Sequence, residues 1–343
     1  MKRLLIWGTG TRAEKALKNF PHERYDIVAF IDNNNERHGQ FHGRPVVSAE
    51  AALHIIHDQV LIASSFHAEI AQQAIALGFD KSRILPAGHV DFLKYAEKIS
   101  GQQLELLGKV PWWYHTFEIL PGVITPGICR YKPELLAHPL LQNLDGKRAL
   151  DIGAWDGPYT LEMSRRGASV MAFDIQPPSH SGFDTMRHVN SINAEHTCDS
   201  VYNLSPSVHG TFDLVTFFGV YYHLRNPLDA FAAINAVLPT GGLLLVEGAV
   251  LEGAPLIDSY WKTHASELEQ MRQLPVAAFV KDEFQGEWSN WWVPTLVCLR
   301  HWIESSGFEI VESSLIARET RGFCIARKSS ELSPEHMVLP SFQ

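Results

Sequence analysis

The sequence predicts an α/β protein made of two three-layer units, each a parallel sheet with helices on its faces. Three observations predict this. The chain has 343 residues, roughly two domains at about 100–200 residues each. Strand-like and helix-like segments alternate twice, over residues 1–90 and again from Arg148 onward, the pattern of a parallel sheet with crossover helices. Each series opens with an apolar strand running straight into a glycine turn, Gly8-Thr9-Gly10 in the first and Gly153-Ala154-Trp155-Asp156-Gly157 in the second.

In the first series Leu4–Trp7 is a strand. Ala13, Ala16, Leu17 and Phe20 then recur at the i, i+3, i+4, i+7 spacing of a helix with one buried stripe, and Pro21 stops it. Asp26–Ile31 is the second strand, with Asp32-Asn33-Asn34 as its polar exit. Val60–Ala63 is a strand, Ala68–Leu77 a helix ended by Gly78, and Arg83–Leu85 a last short strand.

Residues 91–145 read as a connector. Phe92, Tyr95, Ala96 and Ile99 predict one helix, Gly101 interrupts it, and Leu104 and Leu107 predict another. The stretch Pro111–Phe117, with Pro121-Gly122 and Pro126-Gly127 behind it, is too apolar to be left in water and is expected to pack onto the second domain.

The second series occupies 146–328. Ala149–Ile152, Val170–Phe173, Leu214–Phe218 and Leu243–Glu247 are its strands, with helices over Thr160–Arg166 and Leu228–Val237. A helix over Thr295–Ser305, ended by Gly307, and strands Glu309–Ser313 and Gly322–Ala326 complete it. Residues 329–343 are a polar tail.

Composition removes several classes of function. Lys and Arg total 29 against 38 Asp and Glu, a formal charge of −9. That balance disfavours nucleic acid, whose binding rests on neutralising phosphates. No apolar run approaches the roughly 18 residues of a membrane span, and Leu4–Trp7 is too short for a signal peptide. The four cysteines are widely spaced, which suits a reducing cytoplasm and neither a zinc site nor a disulfide framework. The 17 histidines show no metal-ligand spacing, and His38/His42 and His54/His57 read as solvated positions.

The second glycine turn carries the sharper chemistry. A ligand can approach its backbone, and Asp174, ending the next strand, can hold two ribose hydroxyls. Trp155 stands where a dinucleotide site needs a second glycine, so the turn suits a ligand without a pyrophosphate.

This arrangement resembles the class I S-adenosylmethionine-dependent methyltransferases. Phe212–Pro227, with the run Phe218-Gly219-Val220-Tyr221-Tyr222-His223 at its centre, is similar to the fourth-strand motif of one branch. That branch contains the tRNA wobble-uridine carboxymethyltransferases and a set of relatives, several found near polysaccharide genes. Trp113-Tyr114-His115-Thr116, Thr125-Pro126-Gly127, Trp291-Trp292-Val293-Pro294 and Trp302–Val311 extend the resemblance from about Trp112 to Arg327.

The resemblance implies roles. The methionine part of the cofactor falls to the backbone around Asp151, Gly153, Ala154, Trp155 and Gly157, and the ribose to Asp174 with Ile175 beside it. Asp199, Ser200 and Val201 face the adenine, and Phe218 and Gly219 border the methionine amine. Tyr222-His223 occupies the place of a pair that grips the extra carboxylate of carboxy-S-adenosylmethionine in the carboxymethylating relatives. Ordinary S-adenosylmethionine is the default here, the carboxylated form the lesser alternative.

Methyl transfer to a hydroxyl needs alignment and a proton acceptor. His223, with an ordinary pKa of about 6.5, is the candidate base, and Arg225 and Tyr222 are candidates to orient the acceptor. The plainer readings are that His223 fixes its loop by a hydrogen bond, that Arg225 is a surface ion pair and that His115 is structural. Trp291 and Trp292 either stack on a substrate face or simply pack.

In the first unit Gly8, Gly10 and Asp32 come near a G-x-G-x-x-A fingerprint. The region is similar to the small Rossmann-like nucleotide-binding modules fused to sugar acyltransferases, and the resemblance implies a nucleotide or nucleotide-sugar. The alternative is a fold retained for homo-oligomerisation or docking. The combined expectation is a cytoplasmic O-methyltransferase acting on a sugar, nucleotide-sugar or glycan. Its rivals are a tRNA wobble-uridine modifier, a non-catalytic S-adenosylmethionine-binding scaffold and a nicotinamide-linked oxidoreductase.

Overall fold

The computed structural model describes residues 1–343 apart from 19, 254–261, 281–288, 318–319 and 333–343. It divides into two compact units, one of residues 1–131 with 179–191, the other of 132–178 with 192–343. Tyr131 ends the first unit and Lys132 opens the second, so the expected 91–145 connector is shared between them. No described helix is long and apolar enough to cross a membrane.

In the first unit β1 (Lys2–Trp7) leads through the glycine turn to α1 (Thr11–Leu17), which is shorter than its apolar spacing predicts. Lys18 turns extended, and Phe20 is buried outside the helix. β2 (Tyr25–Ile31) follows, then β3 (Gly39–Phe41) and β4 (Arg44–Val47), a hairpin that the sequence reading omits. His42 and Gly43 both adopt positive φ, 48° and 73°, as tight hairpin turns require. The short strands around them are largely exposed, so they lack an apolar alternation to announce them.

After α2 (Ala49–Ala52) come β5 (Gln59–Ile62) and α3 (His67–Leu77), closed by Gly78 in the left-handed region. The expected strand at 83–85 is reduced to one bridge between Ile84 and Val60. The sheet order is β3-β4-β2-β1-β5, parallel except for β3. Its core includes Leu5, Trp7, Ala29, Ile31, Val60 and Ile62.

Helices α4 (His89–Phe92) and α5 (Gly101–Lys109) follow. Gly101 starts α5 rather than interrupting a helix: Ser100 caps it, and Ser100 and Gln103 form a reciprocal capping box. The aromatic stretch then folds into two small pairs. One is parallel, β6 (His115–Thr116) with β9 (Cys129–Arg130); the other is a hairpin of β7 (Glu118–Leu120) and β8 (Val123–Ile124). The stretch belongs to the first unit rather than the second, and Trp113 is buried there against Phe92 and Phe117.

The second unit is built on β10 (Arg148–Ile152), α6 (Pro158–Arg165) and β11 (Ser169–Asp174). Helix α7 (Phe183–Asn190) leaves this series and belongs to the first unit, where Gly182 lies directly on the Trp113 ring. The chain continues through β12 (Glu195–Cys198), α8 (Pro206–His209), β13 (Leu214–Phe218), α9 (Pro227–Val237) and β14 (Leu243–Ala249). It ends with α10 (Ala265–Met271), β15 (Ala277–Phe279), β16 (Trp292–Pro294), α11 (Leu296–Ser305), β17 (Phe308–Ile316) and β18 (Arg321–Lys328).

The seven-stranded order is β12-β11-β10-β13-β14-β18-β17, parallel except for β18, which runs antiparallel to both of its neighbours. Central strands such as β13 are buried on both faces, which is why they read as continuous apolar runs. The chain reverses direction of travel across the sheet between β10 and β13, so the cleft outside their carboxyl ends is where such sheets bind ligands.

A buried ion cluster sits at the carboxyl end of β14. Glu247 is 2% exposed. Arg321 Nε and Nη2 each donate to it at 2.9 Å, and Lys132 Nζ donates at 3.2 Å. Burial alone would push the Glu247 carboxyl up, but the charges and hydrogen bonds of Arg321, then of Lys132, hold it down at about 2.

A Cβ at Gly127 would fall on the His115 and Thr116 backbone, so Gly127→Ala should cost about 1–3 kcal/mol. A Cβ at Gly101 meets nothing, so Gly101→Ala should leave the thermal midpoint of the whole chain unchanged or raised. Equal loss in both variants would contradict the packing.

Glu247→Gln should cost about 1–3 kcal/mol at neutral pH, because it leaves two partly buried cations without their carboxylate. A carboxyl whose folded pKa is depressed stabilises above its unfolded value of about 4.3. That contribution is lost as pH falls toward 2. Urea unfolding of parent and variant should therefore converge over that window; a constant gap would refute the assignment.

Candidate cofactor and acceptor site

β10 delivers Asp151 and the glycine turn to the carboxyl edge. Asp151 is buried and accepts hydrogen bonds from Thr160 Oγ1 at 2.6 Å and Thr216 Oγ1 at 2.8 Å. It therefore ties α6 and β13 to the floor of the turn. Gly153 has φ 77° and packs against Val220 so closely that a Cβ would collide with it. Gly157, φ 81°, is the residue before α6. Trp155 takes φ 49°, a conformation that costs a bulky residue of order 1 kcal/mol and is held only by its surroundings.

Asp174 supplies part of that hold. Its Oδ2 accepts the Trp155 N–H at 2.9 Å, and its Oδ1 accepts the Gln176 N–H at 2.9 Å. Each carboxylate oxygen has a second lone-pair site, so two further donors can be accepted. Ile175 beside it is 69% exposed, a large apolar side chain open at the sheet edge.

Asp199, Ser200 and Val201 follow β12 and are committed to their own turn. Asp199 Oδ1 accepts from Ser200 N–H at 2.7 Å and Asn203 Nδ2 at 2.8 Å. Asn203, then Ser200, hold its carboxyl below the usual range. Ser200 caps the short turn Val201–Asn203, while the Val201 side chain is buried in the core. Only the backbone of Val201 is left to meet a ligand.

Phe218 ends β13 with its ring edge on Tyr159, and Gly219, φ 74°, donates its N–H to Glu247 O at 2.8 Å. The following turn gathers the acceptor candidates. Arg321 Nη2 donates to Tyr222 Oη at 3.2 Å, with its guanidinium over the ring. Ser289 Oγ lies 2.8 Å from His223 Nδ1. The Arg225 guanidinium stacks on Trp291 at 4.4 Å, and Trp292 Nε1 donates to Arg225 O at 2.9 Å. Tyr222 O accepts the Trp291 N–H at 2.7 Å. Residues 222–225 and 289–292 thus form one cluster, and both tryptophans have packing roles within it.

His115 lies in the first unit, in β6, with its carbonyl accepting from Thr125 Oγ1 at 2.7 Å. Gly8, Gly10 and Asp32 line a cavity of about 390 Å³ there. The Gly8 glycine answers to the fold itself: φ is 120°, and a Cβ would lie 2.7 Å from Ala63 O. Asp32 accepts from Thr9 Oγ1 at 2.5 Å and Asn34 N–H at 2.9 Å. Burial pushes its carboxyl up, but these bonds and Arg37 outweigh that and keep it below the usual range.

Arg321 and Ser289 carry no signal in the sequence, and Glu247 is legible there only as the end of a strand. Arg321 lies 99 residues from Tyr222, and no local motif marks it.

The glycine cradle, the acidic strand end and the open apolar side chain fit an adenosyl ligand with an amino-acid tail. A family model described as a methyltransferase domain matches residues 128–313, more than half of the chain. Another, described as C2185-like, N-terminal, matches residues 1–85. A tRNA U34 carboxymethyltransferase of Pseudomonas fluorescens strain Pf0-1 is 30% identical over 59% of this chain and 58% of its own. One of Syntrophotalea carbinolica is 23% identical over 58% of this chain and 52% of its own. The chain thus spans little more than half the length of these curated relatives. An S-adenosylmethionine-dependent methyltransferase structure from Mesorhizobium loti has 15% identity and a TM-score of 0.43, covering 57% of this chain and 96% of that one. With residues 128–313 carrying the methyltransferase domain on this sheet, the chain belongs to the class I S-adenosylmethionine-dependent methyltransferase family.

Proposed function

We propose that the chain transfers a methyl group from S-adenosylmethionine to an oxygen of a sugar, nucleotide-sugar or glycan. The carrying observation is Asp174, a carboxylate 8% exposed at the sheet edge, facing the glycine turn with lone pairs left to accept. S-adenosylmethionine supplies a methyl group already activated by its sulfonium. The chain has to bind, align and deprotonate. Gly153 and Gly219 let backbone approach the ligand's tail, and Asp174 accepts from the ribose hydroxyls. His223, steadied at Nδ1 by Ser289, takes the proton of the acceptor hydroxyl. Arg225, flat on Trp291, offers a fixed positive charge to an anionic acceptor. The glycan class is supported by the sequence resemblance to relatives near polysaccharide genes.

A carboxylated donor is the second reading, and the Arg321–Tyr222 contact favours it. Lys132 and Arg321 together outweigh the single charge of Glu247, leaving net positive charge beside the Tyr222 hydroxyl. The relatives named as tRNA U34 carboxymethyltransferases point the same way. For a tRNA acceptor the net charge of −9 is unfavourable.

Asp174→Ala should lower S-adenosylhomocysteine affinity about 10²–10⁴-fold in calorimetry, from two charge-assisted hydrogen bonds of about 1.5–3 kcal/mol each. Near-native affinity in the folded variant would remove Asp174 from the site. The acceptor is sought by transfer of labelled methyl from S-adenosylmethionine to nucleotide-sugars, oligosaccharides and tRNA in parallel. With whichever is labelled, His223→Ala should lower kcat by about 10²–10⁴ with S-adenosylhomocysteine affinity unchanged. Undiminished turnover would exclude His223 as the base, and salt-sensitive labelling of tRNA alone would overturn the sugar reading.

A further inference from the structure

The ribbon of β15 and β16 carries aromatic rings on the side that packs on nothing. Phe279 stands directly opposite Trp292, and Ala278 directly opposite Val293, so the two pairs lie on opposite faces of the ribbon. The Ala278–Val293 face is the inner one: Val293 is fully buried, in a core with Ala249, Leu251, Leu268 and Val280. The other face of an antiparallel pair packed on one side is ordinarily polar. Here it holds Phe279, 57% exposed, with its ring centroid 5.2 Å from that of Trp292 and 6.3 Å from that of Trp291.

This ribbon is tied to the turn that carries His223. Trp291 N–H donates to Tyr222 O at 2.7 Å, Trp292 Nε1 donates to Arg225 O at 2.9 Å, and Ser289 Oγ lies 2.8 Å from His223 Nδ1. Arg225 is exposed, its guanidinium 4.4 Å from the centroid of the Trp291 ring. Among the described residues no carboxylate pairs with it. Arg3, Arg44, Arg187 and Arg300, also at the surface, each hold one. A guanidinium stacked on an indole is fixed in orientation while its N–H donors stay available. Their best partner is the pair of oxygens of a carboxylate or phosphate. The aromatic ring beside it covers the apolar face of another ring. Together the two groups describe a ring that bears an acid.

We infer that the outer face of this ribbon is the acceptor subsite, with Phe279 against the sugar ring and Arg225 on an acidic group of the same sugar. The acceptor is then an acidic sugar, a uronate or a sugar phosphate, and not a neutral glycan. This rests on the sugar-methylation reading proposed above. Phe279 selects for the ring and Arg225 for its charge, and the ribbon's bonds to residues 222–225 hold both beside His223.

Calorimetry on the full chain saturated with S-adenosylhomocysteine tests it with tetragalacturonate, glucose 1-phosphate and neutral maltotetraose. One acidic sugar or both should bind saturably, about tenfold or more tighter than maltotetraose, as a charge-assisted hydrogen bond provides. Which of them does so tells carboxylate from phosphate. Phe279→Ala should weaken that sugar about fivefold, the worth of one aromatic contact, and Phe279→Tyr should leave it unchanged. Arg225→Ala should abolish its advantage over maltotetraose. Both side chains are exposed, so neither variant threatens folding, and S-adenosylhomocysteine affinity should match the parent in each. No saturable binding of either acidic sugar, or binding indifferent to both alanine variants, overturns the inference. Methyl labelling of a neutral glycan in that event would leave the sugar reading standing without it, whereas labelling of tRNA alone would remove both.

Discussion

Glu247 is a carboxylate held almost wholly out of water at the carboxyl end of β14. Burying an ion costs several kcal/mol, and only well-placed opposite charge repays it. Two elements supply that charge: Arg321 opens β18, and Lys132 stands at the start of the second unit. The carboxylate thereby fixes where the antiparallel edge of the sheet joins its parallel part. The backbone around it anchors the ligand-facing loops as well. Glu247 O receives the Gly219 N–H at 2.8 Å, and Ala249 O receives the Tyr221 hydroxyl at 2.6 Å. Arg321 spans from Glu247 to Tyr222, so one ion cluster sets both the sheet edge and the turn that carries the acceptor candidates.

The opposite wall of the cleft is set by backbone conformation. Gly153, Trp155, Gly157 and Gly219 all lie at positive φ, and three of these are the residue type that pays nothing for it. Trp155 is the exception. Its N–H is fixed by Asp174, so the carboxylate proposed to hold ribose also pins the strained residue of the glycine turn. Under that proposal, ligand binding and loop geometry are coupled through one side chain.

The strand–helix alternation is legible in the sequence wherever an element is either buried on both faces or amphipathic. β10, β11, β13 and β14 are such strands, and α3 and α11 such helices. Elements that carry neither signal escape it. The β3–β4 hairpin is largely exposed and depends on the His42-Gly43 turn. Helix α7 has a clear apolar stripe, Phe183, Met186 and Val189, yet it is read past because it sits where the alternation calls for a simple crossover. Gly101 shows the reverse error: a residue poor for helix interiors is cheap at a helix start once Ser100 and Gln103 cap it. In the site, the glycine turn and Asp174 are adjacent in a local motif and can be read directly. Val201 looks like a ligand contact in sequence but packs its side chain in the core.

By itself the sequence determined the α/β class, the two strand–helix series and the glycine turns with their acidic partners, Asp174 and Asp32. These depend on local spacing and on backbone preferences that neighbouring residues impose. Tertiary structure alone decided which distant side chains share an edge. It put Arg321 on Tyr222 and Glu247, Ser289 on His223, Arg225 on Trp291, and Arg37 over Gly10. Most of these pairs are separated by tens of residues, and charge pairing or stacking has no periodicity along a chain. Strand order and register bring them together, and a sequence read alone does not supply either.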